Sequence, residues 1–155
     1  CASSRNCFNK FNAGEFLAIL DQSVLLEPHA IARFKKAVER HNPDILYADE
    51  VFVSGSSLNI SQISLKPAFS IDYFLASGFI GLPSLVRRNL VGPTNKSWMQ
   101  CSANAVSELL VLSALQNTKR VLHIPDLLSR KIFNYISFTI VSINMLKITC
   151  IFLST

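Results

Sequence analysis

Two short apolar runs, each closing on acidic residues, limit what this chain can fold into. Phe16-Leu17-Ala18-Ile19-Leu20 follows Gly14 and stops at Asp21. Ile45-Leu46-Tyr47-Ala48 stops at the pair Asp49-Glu50. Runs of this length and composition read as buried strands. Between them Pro28 opens a helix, because proline is tolerated in a first turn. Ile31, Phe34 and Val38 recur at helical spacing and are expected inward, with Arg33, Lys35, Lys36 and Glu39 outward. His41-Asn42-Pro43 ends that helix. Strands alternating with helices predict an α/β domain, and ligands of open α/β sheets gather beyond the carboxyl ends of strands.

The remaining segments extend this pattern. Ser54-Gly55-Ser56-Ser57 reads as a loop or hairpin tip. Ser70 can cap a short helix through Ala76, with Asp72 near its positive end. Phe79-Ile80-Gly81-Leu82 and Leu85-Val86 look like one interrupted strand, and residues 91–96 like a loop. Ala103 to Leu115 reads as an apolar helix, and Val121 to Pro125 as a last strand. Half of the 155 residues are hydrophobic and 16% are charged, a core-rich balance that argues against disorder.

The formal charge of +5 suits phosphate-bearing ligands, nucleic acid or an anionic membrane. The basic residues are scattered, however, and carry no nucleic-acid-binding signature, so nucleic acid is not an expected partner. Cys1, Cys7, Cys101 and Cys150 show neither metal-ligand nor redox spacing, which fits a reducing, cytoplasmic compartment. His29, His41 and His123 are well separated and are expected not to bind metal. No Walker loop, dinucleotide fingerprint, nucleophile elbow or zinc pattern is present. The opening CASSRNCFNKF lacks both an initiating Met and an apolar signal core, so further sequence is expected upstream.

From Ile132 to Thr155 the only charge is Lys147, amid many Ile, Phe and Leu. A helix needs about 20 residues to span a bilayer core. Three readings of this tail stay open: a membrane segment, a buried element, or a non-homologous extension.

The order of segments resembles family 2 glycosyltransferases. Residues 12–21, Asn-Ala-Gly-Glu-Phe-Leu-Ala-Ile-Leu-Asp, are similar to that family's ATGEYIALLDHDD. Pro28 and Ala30 match its L-x-P-x-A-L, and residues 44–50, Asp-Ile-Leu-Tyr-Ala-Asp-Glu, its D-x-I-Y-S-D-E. Residues 66–75 resemble K-P-D-W-S-P-D-L-L-L. Residues 79–81 and 86–91 resemble Y-I-G-H-x-x-x-Y-R-R-E-L-V, and residues 123–128 resemble H-I-P-E-V-L. The likeness covers residues 1–130, and 131–155 have no counterpart.

The resemblance implies part of a GT-A fold, a mixed sheet flanked by helices. It implies a nucleotide-diphosphate sugar donor, a saccharide or lipid-linked acceptor, and a divalent metal, Mn2+ or Mg2+. Asp21 falls at the first acidic position of the metal motif, while Ser23 and Val24 stand where the family has further acids. Glu108 is the nearest candidate for the general base, about one position away from the expected acids. Asp49 and Glu50 are expected to line the donor–acceptor cleft. Lys66 either approaches a phosphate or sits in a surface Lys-Pro turn, and Arg87 and Arg88 are expected to be structural or on the surface. Trp98 fits either a sugar-stacking platform or ordinary packing. The implied activity is sugar transfer, weakened by the degraded metal motif, at the cytoplasmic face of a membrane if the tail spans one. The competing reading is a non-catalytic remnant or binding module.

Overall fold

The computed structural model describes residues 15–20, 23–54, 59–91, 101–133 and 149–153. Among them the chain runs β1 (Phe16–Leu20), β2 (Val24–Leu26), α1 (Ala30–His41), β3 (Ile45–Ser54), β4 (Asn59–Ser64), α2 (Ile71–Ser77), β5 (Ser84–Arg87), α3 (Ala103–Leu115), β6 (Val121–Phe133) and β7 (Thr149–Leu153). The protein is α/β with a mixed sheet. Its strand order is β2-β6-β3-β5-β1-β7, with β4 also paired to β3. β3 and β6 are parallel, and the other pairs are antiparallel.

Strand alternation divides the core between the two faces of the sheet. Phe16, Ala18, Leu46, Ala48, Leu85 and Ile124 meet Ala30, Phe34 and Val38 of α1. Leu17, Ile19, Ile45, Tyr47 and Val86 meet Phe74 of α2 and Val106, Leu110 and Val111 of α3. With helices on both faces, β1 and the start of β3 are buried at every position, hence their unbroken apolar runs.

Several expectations hold with small corrections. α1 buries Ala30, Phe34 and Val38, whereas Ile31 is 38% exposed. The helix stops where Asn42 adopts a left-handed conformation (φ 44°) before Pro43. Ser70 caps α2 by accepting from the Tyr73 amide at 3.5 Å, and Gly78 closes that helix at φ 59°. Phe79 to Leu82 form a turn rather than a strand, so β5 begins at Ser84.

β3 does not end at Asp49-Glu50 but continues to Ser54. Its first half pairs with β5 and its second half with β4, while β6 runs along the opposite edge. β6 likewise continues past Pro125 to Phe133. The mostly polar sequence of β4, Asn-Ile-Ser-Gln-Ile-Ser, has no period-two apolar pattern and concealed a strand exposed on both faces.

The tail divides too. Ile132 and Phe133 finish β6, and Thr149–Leu153 pair with β1 as β7. Residues 134–148 and 154–155 lie outside the described residues, as do Asp21 and Trp98. Among the described residues no helix is long and apolar enough to cross a membrane.

Candidate functional site

The acidic pair sits where the parallel ladder breaks. Ala48 faces Ile124, but Asp49 faces Leu127 and Glu50 faces Ser129. Pro125 has no N–H to give to a ladder, and the extra residues on β6 are taken up as a bulge. A bulge re-aims side chains, and here Asp49 and Glu50 both lie buried within the strand.

Asp49 Oδ1 accepts the Lys66 backbone N–H at 2.8 Å and lies 2.8 Å from His123 Nε2. An ionised carboxylate can only accept, so that imidazole nitrogen donates. The His123 ring stacks on Tyr47, with centroids 4.9 Å apart. Tyr47 donates its hydroxyl to the Pro67 carbonyl at 2.7 Å. Burial and the nearby Asp49 charge push the Tyr47 phenol up to about 12. His123 thus joins the cluster, although its isolation in sequence pointed only away from metal binding. The signal was its register: parallel pairing sets His123 beside Tyr47, on the same face as Asp49.

Lys66 is not in a surface turn. Its side chain is 2% exposed, with Nζ donating to the Ile80 carbonyl at 2.5 Å and lying 3.4 Å from Glu50 Oε1. Burial pushes the ammonium below the usual lysine range, while the charges of Glu50 and Asp49 oppose that shift. Glu50 Oε2 is buried and has no hydrogen-bond partner among the described residues. Unpaired buried carboxylate oxygens are costly and mark places where architecture alone does not account for a residue.

Glu108 reaches the same turn from the other side. Ser102 caps α3 by accepting the Ala105 amide at 3.3 Å. Buried Ser107 and Ser84 hydroxyls, 2.5 Å apart, fix the helix against β5. The next residue, Glu108, lays its carboxylate over Gly78: a Cβ there would stand 2.5 Å from Glu108 Oε1. A Cβ on Gly81 (φ 64°) would stand 3.2 Å from Glu50 Oε1 and 3.3 Å from Lys66 Nζ. Residues 78–81 are therefore seated on two carboxylates, and both glycines combine left-handed backbone with close approach. Phe79, between them, packs edge-on against Tyr47 and stacks with Tyr73.

Among the described residues no three His, Cys, Asp or Glu side chains gather as a metal site. Of the expected metal motif, Asp21 lies outside the described residues. Val24 is buried in the hydrophobic core and offers a metal nothing.

Arg87 is structural. It donates from Nε to Asp44 at 2.8 Å, bonds the Asn42 side chain and Pro43 carbonyl, pairs with Glu15, and lies over the Phe16 ring. Asp44 also accepts from Arg120 and from the Thr118 hydroxyl. Burial alone would raise the Asp44 carboxyl. The hydrogen bonds from Arg120 and Thr118, with the Arg120 charge, hold it below the ordinary range.

No family model matches the chain, and no curated protein matches it.

Proposed function

We infer that this chain carries part of a sugar-transfer site of the family 2 glycosyltransferase type, built on a GT-A-like sheet. The donor is a nucleotide-diphosphate sugar, and the acceptor a saccharide or lipid-linked hydroxyl. The observation that supports this most is the convergence of Glu108, Glu50 and Lys66 on residues 78–81. Glu50 and Lys66 fall on segments that resemble the family's, and Glu108 is the acid nearest the position expected of its base.

In the reaction, the acceptor oxygen attacks the anomeric carbon as the bond to the diphosphate breaks. Glu108 takes the acceptor proton in this scheme, since a general base must stand within reach of the hydroxyl. A divalent ion, Mn2+ or Mg2+, would when bound supply positive charge to offset the negative charge developing on the departing diphosphate. Asp21 would hold that ion. Asp49 orients His123 and the chain at Lys66. Lys66 holds the turn through the Ile80 carbonyl and neutralises Glu50.

The test is hydrolysis and transfer by the full chain across uridine, guanosine and deoxythymidine diphosphate sugars, with Mn2+ or Mg2+. Glu108→Gln should abolish transfer while leaving donor binding in place. Absence of both binding and turnover across the panel would remove the enzyme reading. Buried Val24, standing where the family has an acid, favours a second reading, a non-catalytic binding module. Donor binding without turnover under every metal condition would establish that one instead.

A further inference from the structure

A cleft of about 200 Å³ lies on the α1 face of the sheet, between that helix and the start of β6. Arg33, Lys36, Arg40 and His41 line one wall, and Leu122 and Ile124 lie opposite. His123 turns its ring toward Asp49 and stacks on Tyr47, so it borders the cleft along the strand edge. Among the described residues β2 pairs β6 only at Ser129 to Lys131, leaving that edge unpaired beside the cleft. Alternate residues of an open edge turn backbone N–H groups outward.

Among the described residues only one of these charges, Arg33, is matched by an acid. Arg33 donates to Asp126 at 2.6 Å from Nε, which fixes its guanidinium at the rim. Lys36 and Arg40 make no ion pair among the described residues. They stand four positions apart on one helix, where like charges repel. Basic residues suit a helix's last turn, which accounts for Arg40 and His41. It does not account for Arg33 and Lys36, which lie one to two turns earlier. A doubly charged oxyanion between Lys36 and Arg40 would relieve their repulsion and accept from both.

We propose that this cleft binds the phosphate group of a small ligand. The basic stripe from Arg33 to Arg40 is only about 10 Å long at the rise of an α-helix, room for one or two phosphates. Among the described residues the cleft is lined by no Phe, Tyr or Trp, the usual stacking platforms for single-stranded nucleic acid. Its short basic wall and concave shape suit a compact anion rather than an extended polyanion. This site stands apart from the turn at 78–81 and does not depend on the sugar-transfer reading.

The experiment is an amide-resolved NMR titration of the full chain with inorganic phosphate, then pyrophosphate, against chloride at equal ionic strength. Saturable shifts confined to α1 and residues 121–125 are expected. Lys36→Gln with Arg40→Gln, both exposed positions, should weaken binding roughly tenfold or more, as for lost charge-assisted hydrogen bonds. Arg40→Lys should recover part of it. A second arm uses vesicles of phosphatidylcholine with and without phosphatidic acid. Capture by the anionic vesicles, reversed by free phosphate, identifies a lipid headgroup as the phosphate source. Binding of free phosphate alone identifies a soluble ligand. Shifts equal to those in chloride, shifts spread over Arg87, Arg88 and Lys119, or unchanged affinity in the double variant would overturn the proposal.

Discussion

Asp44 enters β3, and Asp49 and Glu50 sit further along it, so one strand carries acids in two different settings. At the entrance, every partner is supplied. Asp44 receives Arg87, Arg120 and Thr118, and Arg87 is shared with Glu15, Asn42 and Pro43. At the bulge, the set is incomplete. Among the described residues Glu50 Oε2 is buried without a partner, and Lys66 is enclosed with one carbonyl and one carboxylate. A satisfied network ties elements together, here β3, β5 and the chain before β6. An incomplete one, retained in a core that could be apolar, indicates a use other than stability.

That contrast breaks first at Lys66. Lys66→Met strands the Glu50 charge and should cost about 3–5 kcal/mol in urea unfolding. Adding Glu50→Gln should return stability close to the starting value, because the pair is not there for strength. If the double variant stays as unstable as the single one, the bulge is architecture after all. The sign of the pH effect follows from the depressed Lys66 value. The unfolded chain holds that proton more tightly, so the Lys66 contribution raises stability as pH climbs from the depressed value toward about 10.4. Lys66→Met should remove that rise.

Next in size is Asp44→Ala, expected to cost about 2–3 kcal/mol by removing the part-buried carboxylate that Arg87, Arg120 and Thr118 share. The Asp44 carboxyl is held low, so its stabilisation is present above about pH 4 and disappears as pH falls through the depressed value. The variant should therefore show a flatter acid limb in thermal melts. Gly81→Ala comes third, at about 1–2 kcal/mol, from left-handed strain plus contact with Glu50. The smallest effect belongs to Ser70→Ala, about 0.5 kcal/mol, because the cap hydrogen bond is long at 3.5 Å.

How much of this was legible in the sequence differs by element. β1, α1 and α3 were, because uninterrupted burial or a one-sided helix leaves a periodic trace in Phe16–Leu20, Phe34 and Val38, and Ala103–Leu115. The course of β3 past Asp49-Glu50 was not. Charged residues normally end a buried strand, and only partners distant in sequence, Lys66 and His123, let these two stay inside. β4 was hidden for the opposite reason, since a strand exposed on both faces has no apolar side to mark it. Glu50, Lys66 and Glu108 were legible as candidates. Their meeting at Gly78 and Gly81 depends on turn geometry that spacing does not encode.

The central claim is that the bulge serves sugar transfer while the strand entrance serves the fold. Nucleotide-sugar turnover and donor binding, measured side by side on Glu50→Gln and Asp44→Asn at a temperature where both stay folded, test it most directly. The account predicts loss of turnover in Glu50→Gln and near-unchanged turnover in Asp44→Asn. Equal activity in the two variants, or activity lost only in Asp44→Asn, would contradict it.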